Sequence, residues 1–429
     1  MKAQNARRPN ILLFVFDSLS ACEAYANHNS EVIPVLTELQ KKSSVFKSAY
    51  TTCPESSPAR ASLFTGLDPS VHGVWTNGVA LATHEKTFPQ LLTQAGYATW
   101  LVGRRQLAGV SNWTTEHSRP DEFTQIDWAH GPLHRSRQNA YLIWLQEKAP
   151  QRYAQIFPRQ ANPDDTTIPS EQYASVATLP DDLSFNHWVG ERICNLLSSH
   201  QQQQPFLAIA AFSVGSSMGS APAHGNDGEE LSTRALQQAD AAIGRVLTQL
   251  ADSDDETMVI VTAGRGNAVS KDPDTAMHER SIKVPLMFSC TGMAPQTVTE
   301  PVSTIDIAPT ILKIAGLPRK TRLQGSSLPG VLNENKSPDS WVMCRLRSAK
   351  HNWLTTLRSS NMKLIVNHGD TQTGIAATYQ LFDIAADPDE QNDLAVDENY
   401  AIELENMIDL MIDARCALED RTEPRIAKF

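Results

Sequence analysis

The chain has 429 residues, 41% of them hydrophobic, with a net charge of −11 at pH 7. This hydrophobic content can bury a large core, so the composition excludes a disordered chain and allows one large domain with an appendage. Since no long basic stretch interrupts the acidic balance, the charge argues against nonspecific binding to nucleic acid or to an anionic membrane.

The cysteines and the N-terminal residues indicate the cellular compartment of the protein. The six cysteines lack C-x-x-C spacing, which favours reduced thiols in a cytosolic protein. Arg7 and Arg8 precede the apolar run ILLFVF, which is too short for the core of a signal peptide. We therefore expect a cytoplasmic protein without a membrane span.

Short apolar runs bounded by polar turns predict buried parallel strands. The runs are ILLFVF (11–16), YATWLV (97–102), FLAIAAF (206–212), MVIVT (258–262) and VPLMF (284–288). Helical patterns such as TRALQQADAAIGRVLTQLA lie between them. This alternation predicts an α/β fold with helices on both faces of a large, mostly parallel sheet.

Polar or charged residues lie within three positions after each of the first four runs. They are Asp17, Arg104, Ser213 and the pair Gly264-Arg265. Ligands of such sheets bind beyond the carboxyl ends of the strands, so we expect these residues to converge on one cleft. Ser56 and Arg60 are expected to reach the same cleft from the start of their own helix.

The stretch TTCPESSPARASLFTG (51–66) predicts that helix start. Pro58 suits the first helical position, which makes Ser57 the predicted N-cap. Ser56 is then expected just outside the helix, facing unpaired N–H groups and the positive end of the dipole. An anion, or a nucleophile that attacks one, suits this place, and Cys53 lies a turn further away.

Two further regions complete the organisation. The segment 112–182 is rich in Trp, Tyr, Pro and His, and is expected to be an excursion that walls a substrate pocket. We predict an α/β domain over residues 8–330 and a C-terminal α+β subdomain over residues 331–429. In the subdomain, WLTTLRSSNMKLIV predicts two antiparallel strands. A terminal helix from about Asp397 is expected to have these residues on its apolar side: Ile402, Leu404, Ile408 and Met411.

Ordered sequence blocks from about residue 8 to about residue 396 carry a family resemblance. They are RPNILLFVFDS, SSPARASLFTG, GYATWLVGR, VIVT, ERSIKVPLMF, VSTIDIAPTILKIAGLP, LQGSSL and YQLFDIAADPDEQNDLA. In order and spacing the chain resembles the sulfatases of the alkaline-phosphatase superfamily. The resemblance implies the sandwich fold of that superfamily, with a large mostly parallel central sheet and a small C-terminal α+β subdomain.

The family nucleophile lies in a Cys/Ser-x-Pro-x-Arg signature. Only the register that starts at Ser56 supplies both Pro58 and Arg60, because a start at Cys53 puts Glu55 at the proline position. The resemblance therefore implies catalytic roles for Ser56 and Arg60. In sulfatases the first residue is oxidised to formylglycine, whose hydrate attacks sulfur.

The metal site that the resemblance implies is changed in this sequence. Sulfatases hold a divalent cation with two carboxylates after the first strand and an Asp with Asn or His after a later one. Asp17 matches, whereas Ser18 replaces the second carboxylate and Gly264-Arg265 replaces the later pair. A guanidinium cannot coordinate a cation, but Arg265 would supply permanent positive charge in its place.

Other family positions differ as well. The Gly-Lys-x-His pattern reads Gly103-Arg104-Arg105-Gln106, which keeps a cation at Arg104 and loses the histidine. The general acid for the leaving group has no obvious candidate, although His278 and Lys271 are close enough in sequence to substitute.

Two hypotheses from different functional classes follow, and a third is less favoured. The first is a diverged sulfatase-family protein without ordinary cation-dependent hydrolysis and without a cofactor. It binds a small sulfated or phosphorylated ligand, or regulates a protein partner, through this anion pocket: Ser56, Arg60, Arg104 and Arg265. The second is an active sulfuric-ester hydrolase with Ser56 as formylglycine precursor, calcium or magnesium as cofactor, and Asp17 as a metal ligand. Phosphoryl transfer by Ser56 itself is disfavoured because such enzymes depend still more on metals.

Overall fold

The computed structural model describes most of the chain. The described residues are 8–25, 30–110, 113–157, 170–200, 204–214, 227–251, 255–267, 275–319, 322–328, 341–348, 351–369 and 374–419.

The described strands form three sheets. They are β1 (Asn10–Phe16), β2 (Ser44–Phe46), β3 (Ala49–Tyr50), β4 (Ala98–Gly103), β5 (Gln125–Trp128), β6 (Phe206–Phe212), β7 (Thr257–Ala263), β8 (Leu286–Ser289), β9 (Gln296–Val298), β10 (Val302–Ser303), β11 (Val342–Ser348), β12 (His351–Arg358), β13 (Met362–Asn367) and β14 (Thr378–Asp383).

Helices separate most of the strands in the chain order. They are α1 (Ala21–Ala24), α2 (Pro34–Lys41), α3 (Ser56–Thr65), α4 (Pro69–His72), α5 (Phe88–Gln94), α6 (Ala140–Lys148), α7 (Pro150–Ile156), α8 (Ser170–Ala177), α9 (Phe185–Ser199), α10 (Asp227–Ala251), α11 (Glu279–Ile282), α12 (Ile307–Ile314) and α13 (Ala401–Glu419). Within the described ranges, no helix combines the length and apolar character needed to cross a membrane.

The main sheet has eight strands in the order β5-β4-β6-β1-β7-β8-β2-β9. Strand β1 at its centre pairs in parallel with β6 and β7, and all of its residues are buried. Burial on both faces explains why these strands read as continuous apolar runs without alternation. The predicted large, mostly parallel α/β sheet is confirmed.

One expectation about the sheet is wrong. The run VPLMF was predicted to be another parallel strand, but β8 is antiparallel to β7, with Val259 opposite Ser289 and Thr262 opposite Leu286. An apolar run indicates that a strand is buried on both faces, but it does not indicate whether the strand is parallel or antiparallel to its neighbour.

The chain divides into two compact units made of interleaved segments. Unit 1 comprises Met1–Val45, Pro89–Gly264 and Pro285–Gln296; unit 2 comprises Phe46–Phe88, Arg265–Val284 and Thr297–Phe429. The domain boundary predicted near residue 330 falls on residues 329–340, which lie outside the described residues, and it stays a prediction.

Unit 2 contains the predicted C-terminal α+β structure. Strands β11 to β14 form an antiparallel sheet in sequential order, and the two predicted strands are β12 and β13. Helix α13 packs on this sheet through Met407, Met411 and Leu418. The prediction for Ile402 is wrong, because its side chain is 75% exposed. The buried stripe repeats every three to four residues from Met407, and Ile402 falls off that stripe.

A buried histidine in unit 2 gives a pH-dependent prediction. His72 lies 2.9 Å from the Ser62 hydroxyl through Nε2, and its Nδ1 accepts the Val74 N–H at 3.0 Å. Burial lowers the pKa of His72 to about 3. The unfolded chain takes up a proton near pH 6.5 while the folded chain does not, so this group lowers stability as pH falls from 6.5 towards 3.

We expect the free energy of unfolding to fall by about 2 kcal/mol between pH 7 and pH 5 through His72 alone. Urea titrations at both pH values measure this change. The variant His72→Gln should show a shallower pH dependence than the wild type, whereas His117→Gln, at an exposed position, should keep it. If the free energy of unfolding changed equally with pH in the wild type and in His72→Gln, the role given to His72 would be contradicted.

Candidate active site

In unit 1, Asp17 is held at the carboxyl end of β1. Its N–H donates to the carbonyl of Phe212, the last residue of β6, at 3.0 Å, and its side chain is buried. The carboxylate accepts hydrogen bonds from Ser18 N–H at 2.7 Å, Val214 N–H at 2.9 Å and the Ser213 hydroxyl at 2.9 Å. Residues following β1 and β6 therefore meet, as the strand ends predict.

Arg104 reaches the same carboxylate from the end of β4. Its Nη1 lies 3.5 Å from Asp17 Oδ2, and its Nε donates to the carbonyl of His130. The preceding Gly103 has φ 105°, and a Cβ there would come within 2.5 Å of the Ala211 carbonyl. Glycine thus allows β4 to end close to β6 and to present Arg104 next to Asp17.

His130 was missed by the sequence reasoning. Burial, and then the charges of Arg104 and His134, lower its pKa to about 2, so its imidazole is neutral at neutral pH. A neutral imidazole next to the cation avoids charge repulsion and leaves its Nδ1 as a polar atom facing the protein interior.

Arg105, in the same family block, has a structural role. Its guanidinium is buried and contacts Glu116 Oε1 at 3.1 Å and Glu122 Oε2 at 2.6 Å. Glu116 in turn accepts the N–H groups of Gln106 and Leu107 at 2.9 and 2.6 Å. These contacts fix the turn after β4, in which Gln106 has φ 59°.

In unit 2, helix α3 begins earlier than predicted. It starts at Ser56 with Glu55 as the N-cap, so the expected N-cap at Ser57 and the expected place of Ser56 outside the helix are both wrong. The reason is a distant residue: Asn77 Oδ1 accepts the Ser57 N–H at 2.9 Å, and the Asn77 N–H donates to Glu55 Oε2 at 2.9 Å. An amide from another segment satisfies the helix start instead of a local serine.

Arg265 lies beside Ser56. Its Nε is 3.4 Å from the Ser56 hydroxyl oxygen, and its Nη1 is 3.3 Å from the Gly266 carbonyl. The Gly266 N–H donates to the Ser281 carbonyl at 2.9 Å, and a Cβ at Gly266 would lie 2.3 Å from the Arg280 carbonyl. Only glycine permits this close approach, which places the guanidinium at the start of α3.

The neighbouring titratable groups distinguish serine from cysteine. Burial raises the pKa of the Cys53 thiol far above its ordinary value, although the Arg265 charge acts in the opposite direction. Burial also raises the pKa of Glu55. A buried, protonated thiol is a poor nucleophile, which favours Ser56, the half-buried residue at the helix start.

Arg60 lies one turn after Ser56 in α3, and its side chain is 1% exposed. Residues four apart share a face of a helix, so both side chains are on one side of α3. Its predicted role in anion binding stays a prediction.

Few of the positions that hold a cation in the resembled family carry an oxygen ligand here. The carboxylate oxygens of Asp17 accept protein hydrogen bonds, and the Ser18 hydroxyl donates to the Val214 carbonyl at 3.1 Å. Among the described residues, no group of three or more His, Cys, Asp or Glu side chains could hold a metal ion. Hard cations need several oxygen ligands, and the expected absence of a bound metal stays a prediction.

Two residues, Lys271 and His278, were suggested as general acids, and the structure describes only one of them. Lys271 lies outside the described residues. The His278 ring is 5.6 Å from that of Phe382, and its Nδ1 is 3.7 Å from Glu390 Oε2. His278 therefore packs beside a buried carboxylate, and its role as an acid stays a prediction.

The structure thus places the predicted site residues in two groups. Unit 2 brings Ser56 and Arg265 together with Arg60 on the same helix, and unit 1 brings Asp17 and Arg104 together. Ser18, Ser213 and Val214 position Asp17, and Asn77 positions the start of α3.

Comparisons with known proteins agree on one family. The family model described as Sulfatase matches residues 9–317, and the model described as N-sulphoglucosamine sulphohydrolase, C-terminal, matches residues 274–416.

Curated relatives cover nearly the whole chain. The sequence is 24% identical to "Arylsulfatase K" of Gallus gallus over 92% of this chain and 80% of that protein. It is 22% identical to "N-acetylglucosamine-6-O-sulfatase" of Bacteroides thetaiotaomicron over 97% of this chain and 88% of that protein. Among solved structures, the phosphonate monoester hydrolase of Silicibacter pomeroyi superposes with a TM-score of 0.74 at 18% identity, covering 95% of each chain.

Proposed function

We propose, since this chain belongs to the sulfatase family, that it hydrolyses sulfuric esters at Ser56. The observation that carries the proposal is the Arg265 guanidinium 3.4 Å from the Ser56 hydroxyl oxygen at the first residue of α3. The curated relatives act on sulfate esters by name, and they align over almost the entire chain.

The arrangement suits an anionic ester. A sulfate group at the N-terminus of α3 meets the positive end of the helix dipole and a planar guanidinium that binds two oxygens at once, while the Ser57 N–H already donates to Asn77. The same positive charge stabilises the negative charge that develops on the sulfate oxygens during attack. In this proposal Arg265 supplies charge that relatives obtain from a cation, and Arg60 lines the same face of the helix.

Ser56 is proposed as the formylglycine precursor. A free serine hydroxyl is a weak nucleophile, and a maturation enzyme that oxidises it to the aldehyde would provide the reactive hydrate. Cys53 does not fit this role, because a signature that started there would have Glu55 at the proline position.

A second candidate is binding of a sulfate or phosphate ester without turnover, by this chain alone or in regulating a protein partner. The changed cation positions, Ser18 and Gly264-Arg265, favour it because they remove the ordinary source of Lewis acidity. The cytoplasmic location also stays a prediction.

Mass spectrometry of the peptide that contains Ser56, together with an aryl sulfate assay, tests the proposal. We expect an aldehyde at residue 56 and hydrolysis of the ester. Bound calcium and magnesium are measured on the same sample, and a stoichiometric divalent ion would contradict the role given to Arg265.

The same experiment separates the two candidates. Unmodified Ser56 with no hydrolysis, but with sulfate ester binding that Arg265→Ala weakens, would replace the hydrolase with the binding protein. Unmodified serine with neither activity would contradict both.

A further inference from the structure

Unit 1 contains a cavity of about 260 Å³ that the site above does not use. Part of its lining is His187 of α9 and Asp181, which lies in the 3₁₀ turn just before that helix. Pockets for drug-sized ligands measure about 300–1,000 Å³, so this cavity suits a smaller molecule. We call it the α10 pocket, because helix α10 supplies the rest of the lining: Arg234, Gln237, Gln238, Ala241 and Arg245.

The spacing along α10 explains the shape of the pocket. Residues three or four apart share a face of a helix, and the lining positions 234, 237–238, 241 and 245 repeat at that spacing. The small Ala241 leaves space between the longer side chains on either side of it. The sequence therefore builds a groove with polar ends and a small residue in the middle.

Hydrogen bonds fix the sides of the pocket without a ligand. Arg234 donates through Nη1 to the Ala177 carbonyl at 2.7 Å, and its Nη2 lies 2.9 Å from Asp181 Oδ1. The buried Asn186 amide donates to the Ala235 carbonyl at 2.9 Å, which joins α9 to α10. A ligand that enters a preformed cavity loses less free energy to ordering of the protein.

Arg245 keeps an uncompensated charge among the described residues. Its side chain is exposed, and within the described ranges no carboxylate lies within 4.0 Å of its guanidinium. The carboxylates near the pocket have cations of their own, because Asp181 pairs with Arg234 and Glu191 pairs with Lys148, each at 2.9 Å. The pocket therefore has an accessible positive charge at its Arg245 end.

The half-buried His187 is consistent with that charge. Burial, and then the charges of Arg245 and Lys148, lower the pKa of its imidazole, while the charges of Glu191 and Asp182 act in the opposite direction. The imidazole is therefore neutral at pH 7 and adds no second positive charge.

We propose that the α10 pocket binds a small hydroxylated oxyanion, whose phosphate or carboxylate group pairs with Arg245 and whose hydroxyl groups bond the amides of Gln237 and Gln238. A guanidinium binds two oxygens of either group at once. Amide side chains donate and accept, which suits hydroxyl groups, and Gln238 uses Nε2 for Asp181 at 2.8 Å and keeps Oε1 as an acceptor. The inference goes beyond the proposed function, because no lining residue belongs to the candidate active site.

Calorimetric titration of the full chain with glycerol 3-phosphate and with glycerate tests the pocket. The two probes share a hydroxylated three-carbon body and differ in the anionic group, so the tighter probe identifies that group. We expect binding at one site per chain, weakened at least about tenfold in Arg245→Gln. Arg265→Ala removes a guanidinium of the candidate active site and should keep this binding.

A second variant tests the cavity without a change of charge. Ala241→Leu fills the middle of the pocket, and leucine is a good helix former, so α10 should stay folded while the probe no longer binds. Arg137→Gln and Ala154→Leu make the same changes at exposed positions of unit 1 and should bind as the wild type does.

NMR titration of the His187 ring locates the bound probe. An oxyanion beside Arg245 adds negative charge near the imidazole, so the pKa of His187 should rise when the probe binds. Arg245→Gln at the same probe concentration should show a smaller rise. A pKa of His187 that does not change on binding would overturn the location.

Other results would also overturn the proposal. They are no binding of either probe, binding that survives both Arg245→Gln and Ala241→Leu, and an equal loss of binding in the two controls. Inorganic phosphate or acetate that binds as tightly as the matching probe would overturn the assignment of a hydroxylated ligand. Turnover of an aryl sulfate should be unchanged in Arg245→Gln, so failure of the hydrolase proposal leaves the pocket standing.

Discussion

Replacement of Ser56 by alanine is expected to reduce the turnover of an aryl sulfate by more than about 1,000-fold, the range seen when a covalent nucleophile is removed. The reason is that alanine offers neither a hydroxyl nor a precursor for the aldehyde. The structure of α3 should persist, because the capping contact uses the Ser57 N–H and the Asn77 side chain, which this change leaves in place. Initial rates with a chromogenic aryl sulfate measure the effect.

Two neighbouring substitutions serve as controls. Ser57→Ala removes a hydroxyl one residue away but keeps the backbone N–H bonded to Asn77. Cys53→Ala removes the other candidate nucleophile, whose thiol is buried and has a raised pKa. Both variants should stay within about tenfold of the wild-type rate, a change of about 1.4 kcal/mol in the activation barrier. Loss of turnover in Cys53→Ala with retention in Ser56→Ala would reverse the assignment.

The sheet was largely predictable from the sequence. The runs at β1 and β6 are buried on both faces, and such strands consist of consecutive apolar residues that stand out in the chain. The direction of β8 was not predictable, because burial alone does not distinguish parallel from antiparallel pairing. The interleaving of the two units was also missed, since it depends on contacts between segments far apart in the chain.

The site was predictable where a local pattern exists. The signature from Ser56 to Arg60 identifies the residues at the start of α3, and strand ends identify Asp17 and Arg104. Asn77 was missed because it is 20 residues from the N–H that it caps. His130 was missed for a similar reason, since its contact with Arg104 is made through a backbone carbonyl, which any residue type could supply.

A buried ion network in unit 2 gives the second large prediction. Lys363 is fully buried, and its Nζ lies 3.3 Å from Glu279 Oε1 and 2.6 Å from Glu390 Oε1. Burial alone would raise the pKa of Glu279, but the charges of Lys363, Lys283 and Arg358 hold it below its ordinary value. Lys363 therefore compensates two carboxylates that water does not reach.

We expect Lys363→Met to lower the free energy of unfolding by about 3–5 kcal/mol, because it removes the buried cation that two buried carboxylates share and leaves Glu279 with Lys283 and Arg358 alone. Urea denaturation at pH 7 measures the loss. Without Lys363, burial raises the folded-state pKa of Glu279 against fewer opposing cations, so this carboxyl of the folded variant binds a proton more tightly than in the wild type. The loss of unfolding free energy relative to the wild type should therefore be largest at pH 7 and become smaller as the pH falls towards 4.

The same substitution at an exposed ion pair provides the control. Lys41 lies 2.5 Å from Glu38, and the two side chains are 64% and 62% exposed, so Lys41→Met should have little effect on stability. Equal losses of stability in the two variants would contradict the role given to Lys363.

Lys363 is also linked to Arg265 through helix α11. Because Glu279 and Ser281 both lie in α11, and the Ser281 carbonyl accepts the Gly266 N–H, the loss of Lys363 should also loosen the position of Arg265. We therefore expect Lys363→Met to bind a sulfate ester more weakly than Lys41→Met does when both variants are folded.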